Sequence, residues 1–302
     1  MQNDECKMQN EGVARGDYFK SFSQKIPQFC ILNSAFCISG IFPTNSNFRG
    51  YFMKPIYVKE YEITDASVDC FGRLKPSMLL FLCQDVAGHH CQILGTDYDT
   101  LAQKNLIWAI IRQKVQITRL PRSGETVRIE TWPMPTTKVC YPRSTVAYDA
   151  QGNELFRSIG MWVLMDADSR AMILPGKSGV SVEGLLTGTE LAAPGSLAVR
   201  QMEQDHPRRV CYTDLDRNGH MNNTKYLEWI SDLLPSGFHR EHTATEFTVC
   251  YHAEAREGHQ LHMGWQLDEN GLLQVESWRE DSQDGSFHRI FAARIQYGQE
   301  IL

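Results

Sequence analysis

A weak internal repeat constrains the fold of this chain more than any other feature of its sequence. Residues 69–85 read DCFGRLKPSMLLFLCQD, and residues 216–232 read DRNGHMNNTKYLEWISD. Aligned without gaps, the two segments share an aspartate at the start, a glycine within the polar stretch and an aspartate at the end. A repeat of this kind indicates two copies of one structural unit, each of which buries its apolar face against neighbouring segments.

Each copy continues into apolar residues at helical spacing. The predicted buried stripes comprise Leu79, Leu82, Cys83, Val86 and His90 in the first copy, and Tyr226, Trp229, Ile230 and Leu233 in the second. This period of three to four residues is typical of an amphipathic helix. Pro76 suits the first turn of the first helix, and Asn222 or Asn223 can cap the second. The sequence therefore predicts a long helix in each copy.

Strand-like segments follow each predicted helix and are separated by turn signals. The first half contains LIWAIIRQKVQITRL, ETVRIETWP, CYPRSTVAYDA and ELFRSIGMWVLMDA, and the second contains ATEFTVCYHAEA, HQLHMGWQLD, LLQVESWRED and FHRIFAARIQYG. A helix wrapped by a curved antiparallel sheet buries the apolar faces of both elements economically. We therefore expect an α+β protein with a tandem, or double, hot dog fold.

The composition of the chain suggests where the two units begin and end. Residues 53–165 are predicted to form an N-terminal hot dog domain and residues 209–302 a C-terminal one. Residues 166–208 are rich in Gly, Pro and Ser and show little periodicity, which is typical of a linker between domains. Residues 1–52 differ from the rest, and we expect either an unstructured extension or a start-site artefact there.

Charge and cysteine usage exclude several classes of protein. The net charge of −6 argues against general nucleic-acid binding, and no apolar run is long enough to predict a membrane span. The nine cysteines are scattered and contain no C-x-x-C pair, which favours free thiols in the cytoplasm. The histidines of HHC at 89–91 and HQLH at 259–262 diverge in direction on a helix or a strand, so no metal site is expected.

The two copies of the repeat differ in their polar residues. Asp216, Asn218 and His220 occupy alternating positions, which face the same way in an extended segment. The first copy keeps the aspartate but has Phe71 and Arg73 at the other two places. A purely structural motif would have less reason to differ in this way, although Asp and Asn are also common in turns before helices. The difference favours one reactive site per chain.

A second acid joins this set when the strands after the helices are compared. Matching RSGETVRI to REGHQLHM sets Glu254 opposite Leu120. His220 can move protons near neutral pH, and Glu254 could act as a general base on water. Asn218 and the amides at the start of the second helix could stabilise an oxyanion in acyl transfer.

These residues resemble the acyl-acyl carrier protein (acyl-ACP) thioesterases, the bacterial relatives of the plant enzymes that terminate fatty-acid chains. DLDRNGHMNNTKYLEW looks like the family signature D-x-N-x-H-x-N-N-x-x-Y-x-x-W, and QDVAGHHCQILG and FRSIGMWVLMDADSRA are also similar, within residues 54 to 300. The resemblance implies a tandem hot dog fold. It also implies hydrolysis of the thioester between a fatty acyl chain and the phosphopantetheine arm of acyl carrier protein (ACP), without metal or cofactor.

The resemblance assigns the catalytic residues position by position. The Asp, Asn and His of the signature are Asp216, Asn218 and His220. Plant members carry a Glu-Cys pair in the later strand, where this chain has Ala253 and Glu254. This departure argues against a cysteine nucleophile and favours attack by water, activated by Glu254 together with His220.

The substrate is expected to contact both a tunnel and a docking face. The predicted acyl contacts are Leu79, Leu82, Val86, Ile93 and Arg143. Because ACP is acidic, a local basic face is expected, with candidates Arg112, Lys114, Arg119, Arg122 and Arg143. The chain is expected to be a monomer or a homodimer. Three alternatives stay open: an acyl-CoA thioesterase, a hot dog dehydratase of hydroxyacyl thioesters, and a non-catalytic protein that binds acyl carriers.

Overall fold

The computed structural model describes residues 55–200, 202, 204–281 and 285–299. The predicted extension, residues 1–52, lies outside this part of the chain. No helix within the described residues combines the length and the apolar character that crossing a membrane requires. The described cysteines are free thiols, and Cys83 is buried as its position on the apolar stripe predicts.

The first half contains the predicted helix and the four predicted strands. Its elements are β1 (Tyr57–Glu62), α1 (Pro76–Ile93), α2 (Tyr98–Ala102), β2 (Leu106–Ile117), β3 (Thr126–Pro133), β4 (Tyr141–Tyr148), β5 (Glu154–Asp166), β6 (Met172–Ile173) and α3 (Pro175–Ser178). Every residue of the predicted stripe on α1 is buried, which confirms the helical spacing. Pro76 begins the helix, as expected for a residue without a backbone N–H.

The second half repeats this order with a shorter helix. Its elements are β7 (Gln204–Arg209), α4 (Lys225–Ser231), α5 (Ser236–Glu241), β8 (His242–Tyr251), β9 (Gln260–Leu267), β10 (Leu272–Glu280) and β11 (Phe287–Gln299). The four predicted strands are confirmed, but α4 has only seven residues. Pro235 disfavours a helical conformation at Leu234, so the predicted long helix is broken and resumes as α5.

The strands form one sheet with an internal symmetry. Within the described chain the order is β1-β3-β4-β5-β2-β8-β11-β10-β9-β7, with β6 paired to β5. From each end, the order runs from the strand before the helix to the first strand after it, and the halves meet where β2 pairs with β8. Both halves therefore have the topology of a hot dog unit, and together they form the predicted tandem fold.

The two helices share one core. α1 packs against β1, β3 and α4. Leu79 and Val86 of α1 belong to the same buried cluster as Trp229 of α4 and Phe247 of β8. The two halves are thus fused through both their sheet and their apolar interior.

The segment that connects the halves runs in contact with the sheet. The Leu185 N–H donates to Pro133 O, at the end of β3, at 2.9 Å. Further along, Arg289 on β11 donates through Nη2 to Leu197 O at 3.1 Å. The predicted linker, residues 166–208, also contains β6, α3 and all of β7 except Arg209. Contacts with both halves hold this connection against the fold.

Candidate active site

The polar stretch before α4 folds into a turn held by one aspartate. The Asp216 N–H donates to His220 O at 2.7 Å. Its carboxylate Oδ1 accepts from the backbone N–H groups of Asn218 at 2.8 Å and His220 at 3.2 Å. Gly219 has a φ of +74°, a left-handed conformation that an L side chain adopts only with strain. Asp216 therefore builds the turn.

The first copy makes the same turn. Asp69 Oδ1 accepts from the backbone N–H groups of Phe71 and Arg73, each at 2.9 Å. Gly72 also has a φ of +74°. The shared aspartate and glycine of the repeat are thus explained by backbone geometry alone. The residues that differ between the copies are not needed for the turn.

A hydrogen bond ties each turn to a segment of its own half. The Met221 N–H donates to Ala255 O at 2.8 Å, and in the first half the Leu74 N–H donates to Pro121 O at 2.8 Å. Glu254 and Leu120, which precede these two acceptors, consequently occupy equivalent positions. This agrees with the pairing of strands that the sequence repeat predicts.

Those equivalent positions carry different chemistry. In the second half, His220 Nε2 lies 3.0 Å from Glu254 Oε2. In the first half Leu120 replaces the acid and is buried, while Arg73 turns back to pair with Asp69 at 2.9 Å. The His220 side chain is 10% exposed and that of Glu254 is 35% exposed, so the carboxylate is the member that water reaches more easily. The structure thus brings two of the predicted catalytic residues into direct contact.

Arg170 is a member of the site that sequence reasoning missed. It lies in the hairpin between β5 and β6 of the first half, where its Nη1 is 3.5 Å from Glu254 Oε1. Its φ of +58° is rare for a residue with a side chain, and Asn105 bonds the same hairpin through Asp166 and Asp168. In sequence this stretch looks like an ordinary polar turn, and no local signal links it to Glu254.

The surroundings of His220 favour its neutral form. Burial lowers the pKa of His220 below its ordinary value, and the positive charges of Arg170 and Arg256 lower it further. Glu254 and Asp216 oppose this shift, because their negative charges favour an imidazolium ion. At neutral pH the imidazole is therefore suited to accept or relay a proton.

The amides at the start of α4 are less available than the sequence suggested. Asn222 Oδ1 accepts from the Thr224 N–H at 2.9 Å, and Asn222 O accepts from the Lys225 N–H at 2.9 Å. These two N–H groups already have partners, so they are poor candidates for oxyanion stabilisation. No described residue hydrogen-bonds the side-chain amide of Asn218, which lines the adjacent cavity. Asn218 is thus the better candidate donor.

A cavity of about 700 Å³ lies between α1 and the turn at residues 216–221. Its wall includes Phe81, Gln84, Asp85, Gly88, His89, Cys91 and Gln92 of α1, Trp108, Met134, Tyr141, Arg143 and Trp162 of the first-half sheet, and Arg217, Asn218 and Asn222 of the turn. The first half thus contributes most of the wall, including the paired His89 and Asp85, and the second half contributes the turn residues; His220 and Glu254 are not among the lining residues.

The structure corrects the predicted lining of this cavity. Leu79, Leu82 and Val86 are buried in the shared core rather than in the cavity wall, and Ile93 is 54% exposed near the end of α1. The apolar stripe of an amphipathic helix faces the sheet that covers it, so the cavity forms against a different face of α1. Arg143 does line the cavity, as expected.

The basic residues considered for carrier docking have separate surroundings. Lys114 pairs with Glu246 at 3.0 Å, and Arg119 pairs with Glu125 at 2.7 Å. Arg112 donates to Pro194 O of the connecting segment at 3.3 Å. Arg143 lies in the cavity wall, where it cannot belong to a flat docking face. The docking face stays a prediction.

Fold and site together define a double hot dog protein in which the turn that carries His220, the partner of Glu254, borders a largely apolar cavity. Sequence models described as the acyl-ACP thioesterase N-terminal and C-terminal domains match residues 54–174 and 198–301. The chain therefore belongs to the acyl-ACP thioesterase family.

Plant proteins are among the relatives of this chain. It is similar to a chloroplastic palmitoyl-acyl carrier protein thioesterase of Gossypium hirsutum, with 26% identity over 186 residues, 57% of this chain and 45% of the relative. A chloroplastic oleoyl-acyl carrier protein thioesterase of Coriandrum sativum is 25% identical over 203 residues, 58% of this chain and 53% of the relative. The chain spans about half the length of these curated relatives.

Solved structures share the fold. An acyl-ACP thioesterase from Bacteroides thetaiotaomicron matches with a TM-score of 0.70 at 23% identity, over 81% of this chain and 98% of that one. A 12:0-ACP thioesterase from Umbellularia californica matches with a TM-score of 0.69 at 19% identity, over 82% of this chain and 99% of that one. These similarities establish the tandem hot dog architecture.

Proposed function

We propose that this protein hydrolyses the thioester that joins a fatty acyl chain to the phosphopantetheine arm of ACP, releasing the free fatty acid. The observation that carries the proposal is the 3.0 Å contact between His220 Nε2 and Glu254 Oε2. The equivalent place in the first half, at Leu120, is apolar. Family membership supports the substrate class, because the plant relatives are named for acyl carrier protein thioesters.

The proposed reaction uses water as the nucleophile. Glu254, the more exposed member of the pair, accepts a proton from water as the water oxygen attacks the thioester carbonyl carbon. The carbonyl oxygen gains negative charge, and the Asn218 amide, which lines the cavity, donates to it. The carbon–sulfur bond then breaks, and the proton passes through the pair to the departing sulfur. The products are a carboxylic acid and the free thiol of the carrier.

Each partner of Glu254 has a distinct part in this proposal. His220 donates its Nε2–H to the carboxylate, or accepts a proton from it, so the pair can move one proton without separating charge over a long distance. The guanidinium of Arg170 lies 3.5 Å from the opposite carboxylate oxygen and helps to hold Glu254 in position beside His220. Asp216 contributes by holding the turn that aims both Asn218 and His220.

The decisive experiment is turnover of a purified acyl-ACP by Glu254→Gln. We expect kcat to fall by about 10²–10⁴, the usual contribution of a positioned acid–base group. Glu246→Gln is the matched control, because this carboxylate lies on β8 and pairs with Lys114 away from the turn. Turnover of Glu254→Gln close to that of the wild-type protein would exclude the proposed mechanism.

The same assay separates the remaining alternatives. Release of free thiol distinguishes hydrolysis from dehydration of a hydroxyacyl thioester, which leaves the thioester intact. Comparing an acyl-ACP with the acyl-CoA of the same chain tests the carrier, because only the carrier protein offers an acidic surface for docking. We expect a higher kcat/KM for acyl-ACP, and equal values would contradict the proposed carrier.

A further inference from the structure

The cavity wall contains a cation with no carboxylate among its described hydrogen-bond partners. Arg143 projects from β4 and donates to His90 Nδ1 at 3.1 Å, to Thr131 Oγ1 at 3.4 Å and to Cys91 Sγ at 3.7 Å. Burial first, and then Arg143 itself, lower the pKa of His90 to about 4, so this histidine is neutral at physiological pH. Within the described chain, no carboxylate lies at ion-pair distance from Arg143.

This arrangement is unusual for the interior of a protein. Arg143 is half-buried, with its side chain at the wall of the cavity. Arginines withdrawn from bulk water are normally paired with a carboxylate, because an unpaired charge that loses its hydration costs free energy. Elsewhere in this molecule the rule holds: the buried Arg73 pairs with Asp69, and Arg289 pairs with Glu276 at 2.6 Å. Arg143 departs from it at the surface of the cavity that the proposed acyl chain would fill.

A neighbouring polar group is also unmatched. Gln84 Nε2 is buried behind the cavity wall and has no hydrogen-bond partner among the described residues, but it has no surface that a chain in the cavity could contact. Most of the remaining wall is apolar and includes Phe81, Trp108 and Trp162.

An unsubstituted hydrocarbon chain fits this wall poorly at one place. It would displace water from the guanidinium of Arg143 and offer no acceptor in return, which costs free energy. An oxygen atom on the chain would restore the lost hydrogen bond, and hydrogen bonds from a charged donor are stronger than those from a neutral one. The apolar remainder of the chain would still be buried against the aromatic residues.

We infer that the acyl chains this protein accepts carry an oxygen acceptor, a hydroxyl, oxo or carboxylate group, that Arg143 binds inside the cavity. The inference rests on the proposed hydrolysis of acyl-ACP and specifies its substrate class. Arg143 is then a specificity-determining residue that contacts the chain, while Glu254 and His220 act on the thioester. The catalytic pair itself would not distinguish the substrates.

The test compares three acyl-ACPs of one chain length: unsubstituted, 3-hydroxyacyl and ω-carboxyacyl. The two oxygenated chains put their oxygens at opposite ends, so the preferred one locates Arg143 along the chain. We expect the wild-type kcat/KM for one oxygenated substrate to exceed that for the unsubstituted substrate by about tenfold or more. Because all three share one carrier and one arm, the ratio reports on the chain alone.

Arg143→Met should abolish this preference by raising activity on the unsubstituted chain and lowering activity on the oxygenated one. Arg128→Met is the matched control, because Arg128 lies on β3 beside Glu130 and the ring of Tyr148, outside the cavity wall. The control should keep the wild-type ratio. Equal or better wild-type hydrolysis of the unsubstituted chain, or an unchanged ratio in Arg143→Met, would overturn the inference and leave the proposed hydrolysis intact.

A binding measurement covers the case in which Arg143→Met does not fold or no acyl-ACP is turned over. A dicarboxylic or 3-hydroxy fatty acid should raise the Tm of the wild-type protein more than the unsubstituted acid of the same length. An equal or smaller rise with the oxygenated acids would count against an oxygen site at Arg143. If the protein hydrolyses none of the three thioesters, the proposed function is refuted instead.

Discussion

The turns at residues 69–74 and 216–221 have the same backbone and opposite chemistry. Each is held by an aspartate that accepts from two backbone N–H groups, and each has a glycine at a φ of +74°. In the first turn Arg73 pairs with the aspartate and donates to His239 O of the other half at 2.6 Å. In the second turn His220 faces Glu254 instead.

The difference separates the structural part of the motif from its reactive part. Aspartate and glycine are required wherever the chain makes this turn, so their presence carries no information about catalysis. At the third polar position, the first turn has an arginine that joins the two halves, and the second turn has an imidazole. A fused pair of units can therefore keep one reactive site while the other place becomes a structural contact.

The largest effect is expected when His220 in the second turn is replaced by arginine, the residue at the equivalent position of the first turn. His220→Arg should let the new arginine bond Asp216 as Arg73 bonds Asp69, which leaves Glu254 without its imidazole. We expect kcat on acyl-ACP to fall at least about 100-fold, with little change in Tm. The reciprocal Arg73→His should leave kcat within about twofold while lowering Tm, since a contact between the halves is lost. Turnover by His220→Arg at the wild-type rate would contradict the reactive role given to the imidazole of the second turn.

Removing either aspartate should reveal their unequal structural roles. Asp69→Ala removes the carboxylate that the buried Arg73 contacts at 2.9 Å and should cost about 3 kcal/mol of unfolding free energy. Asp216→Ala loses only the bonds to backbone N–H groups and should cost about 2 kcal/mol. Urea unfolding measures both values. A larger loss of stability for Asp216→Ala than for Asp69→Ala would contradict this ranking.

A smaller effect is expected at Arg170, the residue from the first half that completes the second site. Its positive charge lowers the pKa of His220, so Arg170→Met should raise that pKa. If turnover needs the neutral imidazole, activity is lost as pH falls through this pKa, and the acid limb of kcat/KM must move to higher pH. Near neutral pH the loss should stay below about tenfold, because partly exposed ion pairs contribute little.

Arg170→Lys provides the control for charge. It should keep the acid limb closer to its wild-type position, because the positive charge is retained while the reach of the side chain changes. The pH profile distinguishes this electrostatic role from a purely structural one. A limb that stays in place, or moves to lower pH, in Arg170→Met would show that Arg170 does not act on the imidazole.

The sequence predicted those parts of the molecule that depend on local pattern. The stripe on α1 arises from contacts repeated every three or four residues, and the strands β2 to β5 and β8 to β11 lie between local turn signals. The match of the two turns even set Glu254 opposite Leu120, because a repeated unit keeps its hydrogen bonds. The sequence did not reveal the break of the second helix at Pro235. It also suggested that the backbone amides at the start of α4 stabilise an oxyanion, although Asn222 already accepts a hydrogen bond there.

The sequence by itself therefore determined which residues stand at equivalent positions of the two turns. One half carries Asn218, His220 and an opposing acid, and the other does not. Only the tertiary structure decided which face of α1 borders the cavity, how far His220 lies from Glu254, and that Arg170 reaches their site from the other half. Those outcomes depend on how two units pack, a long-range result that no local spacing encodes.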